Sequence, residues 1–235
     1  MATAHIAAAA GDFAPAVLMP TDPKQSTWLA EQLLTDAKLV TDSYGLLGYT
    51  GTHQGKPLSI MTSGLGLPSL VLIATELVRS YNVDRIVRIG PSGAIARQLT
   101  LGDVIIATGA HTNSYVNEAR LPGGHFSAVA DFKLAAAAMA AAGDDPNVTV
   151  GVVVSNDNPN YQVPSQSGAL LKHNVLVAEQ ETAGLYGVAD EYGKQALALL
   201  TVTEIYARNN AFISAEEAET ANLKAANLAV AALFS

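Results

Sequence analysis

Short runs of β-branched and apolar residues alternate with amphipathic helical stretches from one end of the chain to the other. The apolar–polar pattern predicts strands over Ala16–Met19, Leu46–Thr52, Leu58–Thr62, Arg85–Gly90, Val104–Thr108, Val148–Val154, Leu176–Glu179 and Leu197–Thr203. It predicts helices over Thr27–Leu34, Ser69–Tyr81, Lys133–Ala142, Thr182–Tyr192 and Ser214–Leu233. Runs such as Ile86-Val87-Arg88-Ile89 and Gly151-Val152-Val153-Val154 are apolar without alternation, as strands covered on both faces are. The expected architecture is therefore a central mixed or parallel sheet flanked by helices. Ala135–Ala142 reads as helix because alanine is the strongest helix former. Asn156–Gln162, containing Pro159, reads as a polar loop at the carboxyl end of a strand, where such sheets usually place ligands.

With 235 residues and no composition break, linker or repeat, the chain is expected to form one domain over residues 1–235. Hydrophobic residues make up 49% and charged residues 14%, which favours a homo-oligomer. The alanine-rich helices are a second explanation for that composition. The net charge of −8 with scattered basic residues argues against nucleic acid or an anionic membrane as partner. No cysteine is present, which removes disulfides and thiolate metal sites, and the five histidines show no metal spacing. Ile6–Ala10 is too short for a signal core and no apolar run reaches membrane-span length, so a soluble, cytoplasmic protein is expected.

Candidate chemistry gathers at the strand ends. The small-residue turns Ser63–Gly66 and Gly90–Ala94 offer backbone amides that could cradle an anion, although glycines at such places more often mark plain tight turns. In Glu179-Gln180-Glu181 the two carboxylates project the same way if the backbone is extended, an arrangement suited to vicinal hydroxyls. The same acids would also suit the positive end of the following helix. Glu204 closes another apolar strand and could protonate a leaving group if buried, or be an ordinary surface residue. Arg88 lies in a buried strand and needs an anionic partner, from the protein or from a ligand.

Taken in order, Met1-Ala-Thr-Ala-His5-Ile6, Gly11-Asp12-Phe13, Val17–Pro20, Gly45–Gly51, Arg88-Ile89-Gly90, Ala130-Asp131-Phe132, Glu179–Ala189 and Thr201–Glu204 cover nearly the whole chain. Together they resemble the bacterial hexameric purine nucleoside phosphorylases; uridine phosphorylases and methylthioadenosine-type nucleosidases share that fold. The resemblance implies a single-domain, three-layer α/β/α fold with a mixed central sheet, assembled as a trimer of dimers. It implies that Glu181, with Glu179 and Gln180 beside it, meets the ribose, and that Arg88 binds phosphate. His5 would reach the ribose of a neighbouring subunit, and Glu204 would protonate the departing base. Ser92 and Tyr161 are further candidates, for phosphate or sugar contact and for stacking on the base or packing at a subunit contact. No cofactor is implied, phosphate being a co-substrate.

Against the family pattern, the phosphate loop reads Thr21-Asp22-Pro23-Lys24-Gln25, with Thr21 replacing glycine and Gln25 replacing arginine. Tyr44 replaces the arginine that a neighbouring subunit would lend, Pro91 replaces a serine, Gln180 a methionine, and Glu204 an aspartate. The arginine that assists that aspartate aligns near Glu217. Losing two arginine contacts to phosphate should weaken its binding by about 3–6 kcal/mol, on the order of a hundredfold to ten-thousandfold. Three activities follow as alternatives: phosphorolysis with a weak anion pocket, hydrolysis by water, and nucleoside binding or storage without catalysis.

Overall fold

The computed structural model describes residues 2–158, 164–205 and 211–235. Its strands are β1 (Ala16–Pro20), β2 (Thr35–Thr41), β3 (Gly48–His53), β4 (Lys56–Met61), β5 (Arg85–Ala94), β6 (Val104–Thr112), β7 (Ala128–Val129), β8 (Val148–Ser155), β9 (Val177–Glu179), β10 (Gln195–Ile205) and β11 (Ala211–Phe212). The helices are α1 (Pro23–Leu33), α2 (Leu67–Ser80), α3 (Phe132–Ala142), α4 (Pro164–Lys172), α5 (Thr182–Glu191) and α6 (Ala215–Leu233).

The strands form one mixed sheet in the order β11-β10-β6-β8-β9-β5-β1-β4-β3-β2, with β7 paired to β6. A second pairing, β10 with β5, bends part of that sheet round on itself. Strands β5, β10, β6, β8 and β9 thus make a closed ring, and β1, β4, β3 and β2 extend from it as an open wing. One face is covered by α2 and α5, burying Leu67, Leu70, Ile73, Leu77, Leu185 and Tyr186. The other is covered by α1, α3 and α6, burying Leu29, Leu33, Leu134, Ala138, Ala229 and Leu233. Three layers with a mixed sheet are the architecture that the resemblance implied. Alternation along β5 sends Val87 and Ile89 into the second core, and Ile86 into the first. Arg88 and Gly90 share the face of Ile86, because alternate residues of a strand point the same way.

Several expectations need correction. Gly90–Ala94 is not a turn: β5 runs on to Ala94, paired with β10 throughout and with β9 at its end. Helix α1 begins at Pro23, four residues ahead of the pattern, because Asp22 caps it by accepting the Lys24 N–H at 2.9 Å. The pattern also passed over β2, β7, β11 and α4. The expected loop at Asn156–Gln162, and Tyr161 with it, lies largely outside the described residues.

Candidate functional site

Four chain segments from the carboxyl ends of β1, β8 and β9 and from the start of α2 converge on the Arg88 side chain or on the acids beside it. Arg88 is 1% exposed, too buried for a charge without partners. Its Nη2 pairs with Glu181 Oε2, lies 3.4 Å from Glu179 Oε2, and is 3.4 Å from the Thr21 hydroxyl just beyond β1. Burial alone would depress its basicity, but Glu181 first and Glu179 second outweigh that and hold the guanidinium charged. The Arg88 Nε and Nη1 groups have no hydrogen-bond partner among the described residues. Gly90 makes room for the guanidinium: a β-carbon there would sit 2.5 Å from Arg88 Nη1.

Glu179 ends β9, the chain bends at Gln180, and Glu181 takes the N-cap position of α5. Both acids nevertheless reach Arg88, through the bend and not through the extended backbone that the spacing suggested. Both are buried, at 6% and 2% exposed. Glu179 accepts the Glu181 N–H at 2.9 Å, the Thr182 N–H at 3.0 Å and the Ser155 hydroxyl. Glu181 Oε1 accepts the Gly66 N–H at 2.7 Å. Of the Ser63–Gly66 turn, one amide, that of Gly66, meets an anion, and this anion is the protein's own carboxylate. Burial pushes the Glu179 carboxyl above the usual range; Arg88 pulls against this and the charge of Glu181 adds to it. One guanidinium thus faces two carboxylates, which leaves the cluster with an excess of negative charge when both are ionised.

The remaining candidates make no hydrogen bond to this cluster among the described residues. Ser92 is buried and its hydroxyl donates to the Thr201 carbonyl at 3.0 Å. Glu204 is half-buried on β10, just past a register shift, and faces Phe212 of β11. Gln25 and Gln180 are half-buried, whereas Lys24 is exposed. His5 and Tyr44 come together, with ring centroids 5.7 Å apart, and Tyr44 is 79% exposed. Glu217 is exposed and closes a capping box with Ser214 at the start of α6. Among the described residues, no group of three or more histidine, aspartate or glutamate side chains could hold a metal, and no helix is long and apolar enough to cross a membrane.

Sequence reasoning passed over Ser155 and Thr182. Ser155 does carry a signal, a lone hydroxyl at the end of an apolar strand. What it touches depends on β8 lying beside β9, which no local pattern shows.

A buried arginine between two glutamates thus sits near strand ends of a mixed sheet, where layered folds of this kind commonly place their ligands. The sequence profile of the Phosphorylase superfamily matches residues 15–235, and the chain belongs to that family. The chain is 45% identical over 205 residues to a purine nucleoside phosphorylase DeoD-type of Myxococcus xanthus (87% of this chain, 86% of that one). It is 46% identical over 205 residues to the DeoD-type enzyme of Psychromonas ingrahamii, covering 87% of each. With the DeoD-type enzyme of Colwellia psychrerythraea it shares 41% identity over 221 residues, 94% of each chain.

Proposed function

We propose that the protein cleaves the N-glycosidic bond of a purine ribonucleoside or deoxyribonucleoside by phosphorolysis, with a weak anion pocket. The observation that carries this reading is the buried cluster of Arg88, Glu179 and Glu181; the names of the relatives supply the substrate class. Glu181 accepts the sugar hydroxyls, and Arg88 stands between the sugar and the attacking phosphate. As the C1′–N bond breaks, its electron pair passes to the base, which takes a proton from Glu204. A phosphate oxygen bonds C1′, giving the pentose 1-phosphate. The sugar becomes cationic in the transition state, and pre-placed carboxylates favour that charge without reorganising. In this reading Thr21, Gln25 and Ser92 serve the phosphate and Gln180 the nucleoside; Tyr161, the candidate for stacking on the base, is outside the described residues. No cofactor is required.

The protein works as a homo-oligomer in the cytoplasm, in hexamers in which His5 and Tyr44 of one copy reach a neighbour's sugar and phosphate. Support comes from the pairing of these two rings at an exposed position. Sedimentation is expected to give a particle of six chains, and a monomer would overturn the shared site.

A second reading, hydrolysis by water, is favoured by one observation: Arg88 is already engaged by two carboxylates, so an incoming dianion meets little net positive charge. Inosine, adenosine and uridine incubated with and without phosphate separate the readings. Phosphorolysis predicts base release from the purine nucleosides that rises with phosphate concentration. Equal release without phosphate means hydrolysis. Nucleoside binding without release means that the protein is not a catalyst.

A further inference from the structure

Glu179 and Glu181 are chemically alike but differ in how much of each carboxylate is already committed. A carboxylate offers about four acceptor positions. At Glu179, Oε1 accepts the Ser155 hydroxyl and the Thr182 N–H at 3.1 Å. Oε2 accepts the N–H groups of Glu181 and Thr182 and faces Arg88. Glu181 accepts only from Gly66 N–H and Arg88 among the described residues.

Ser155, the last residue of β8, is fully buried and takes the Ala183 N–H on its oxygen at 2.9 Å. An amide can only donate, so the Ser155 oxygen accepts there and its own proton is directed at Glu179. The hydroxyl therefore ties three elements together: the end of β8, the end of β9 and the first turn of α5.

We propose that Ser155 is a positioning residue, whose hydroxyl fixes Glu179 as the anionic brace of Arg88 and leaves Glu181 as the carboxylate that meets a ligand's hydroxyls. The brace stands on the geometry alone, while its use toward a sugar rests on the nucleoside reading above. The charged and titratable groups facing Glu179 are Arg88 from β5, Glu181 from the turn before α5, and Tyr186 from α5 itself. Burial drives the Glu179 carboxyl toward the neutral acid, Arg88 opposes this and Glu181 reinforces it, while the Ser155 hydroxyl and the Glu181 amide favour the anion. Without the hydroxyl, Glu179 takes up a proton at higher pH and loosens its hold on Arg88.

The test is a pH titration of the free protein labelled with ¹³Cδ-glutamate, followed by NMR, with Glu179→Gln identifying the resonance. In Ser155→Ala the Glu179 midpoint is expected to rise by about one unit, a tenfold change in its protonation equilibrium. Ser155→Cys, close in size but a weak donor, should fall between the two and carries the same comparison if the alanine variant does not fold. A midpoint that stays in place in the folded variants overturns the proposal. If the wild type cleaves purine nucleosides, the acid limb of kcat/KM should move with the midpoint, and an unmoved limb would refute the role toward the sugar. A wild type that cleaves nothing counts against the nucleoside reading, while the NMR comparison still decides the role of Ser155.

Discussion

Glu76, on α2, shows how a single carboxylate can hold down a stretch of chain. It accepts the Thr3 hydroxyl, the His5 N–H at 3.3 Å and His5 Nδ1 at 2.7 Å. Burial pushes this carboxyl up, but the bonds from Thr3 and His5 prevail and hold it below its usual 4.5. A carboxyl depressed in the folded state binds fewer protons folded than unfolded. Its contribution is thus complete above the usual value and lost as the pH falls through the folded one. Glu76→Gln is expected to melt a few degrees below the wild type at neutral pH. That gap should close as the pH falls below 4.5, and a gap independent of pH would refute the assignment. Such residues are unevenly legible in sequence. Arg88 announces itself because an arginine inside an apolar strand demands an anion, and the closely spaced acids Glu179 and Glu181 answer it from the end of β9 and the bend that follows. Ser155 is hidden, and Gly66, although its turn is a visible anion candidate, gives no sign that its anion is Glu181, since both partners come from other segments that meet only in the folded sheet.

The elements are held by contacts of equally long reach. Tyr186 of α5 is 1% exposed; its hydroxyl donates to the Ala107 carbonyl of β6 and accepts the Ala198 N–H of β10 at 3.0 Å. Tyr186→Phe keeps the packing but strands both backbone groups, a loss of about 1–3 kcal/mol. Denaturant unfolding should show a lower midpoint with an unchanged slope. Long buried elements were legible because their apolar pattern is dense, as in β6 and α2. Strand β2 was not: its first five residues are exposed and, among the described residues, it pairs with β3 alone, across two register shifts. An edge strand of this kind carries charge where a central one carries valine, and Asp36 and Lys38 supply it here. The continuation of β5 beyond Gly90 was obscured for a different reason. The glycine that reads as a turn is there to clear the Arg88 guanidinium.

At the scale of the molecule, alternation of strand and helix was enough to predict a layered fold, and the two apolar cores lie on either face of the sheet as expected. Curvature was not readable. Whether a sheet stays open or meets itself depends on which distant strands find each other, and β5 takes β1, β9 and β10 as neighbours.

That closed ring bears on the order in which the molecule can be made. Lys194 and Asp84, at the mouth of the β5–β10 pairing, are 110 residues apart. During synthesis the wing and its helix α1 can gather early, but β5 keeps one bare flank until the segment containing β10 leaves the ribosome. For that interval the nascent chain carries an unpaired apolar strand, a point at which a chaperone or a second nascent chain can intervene.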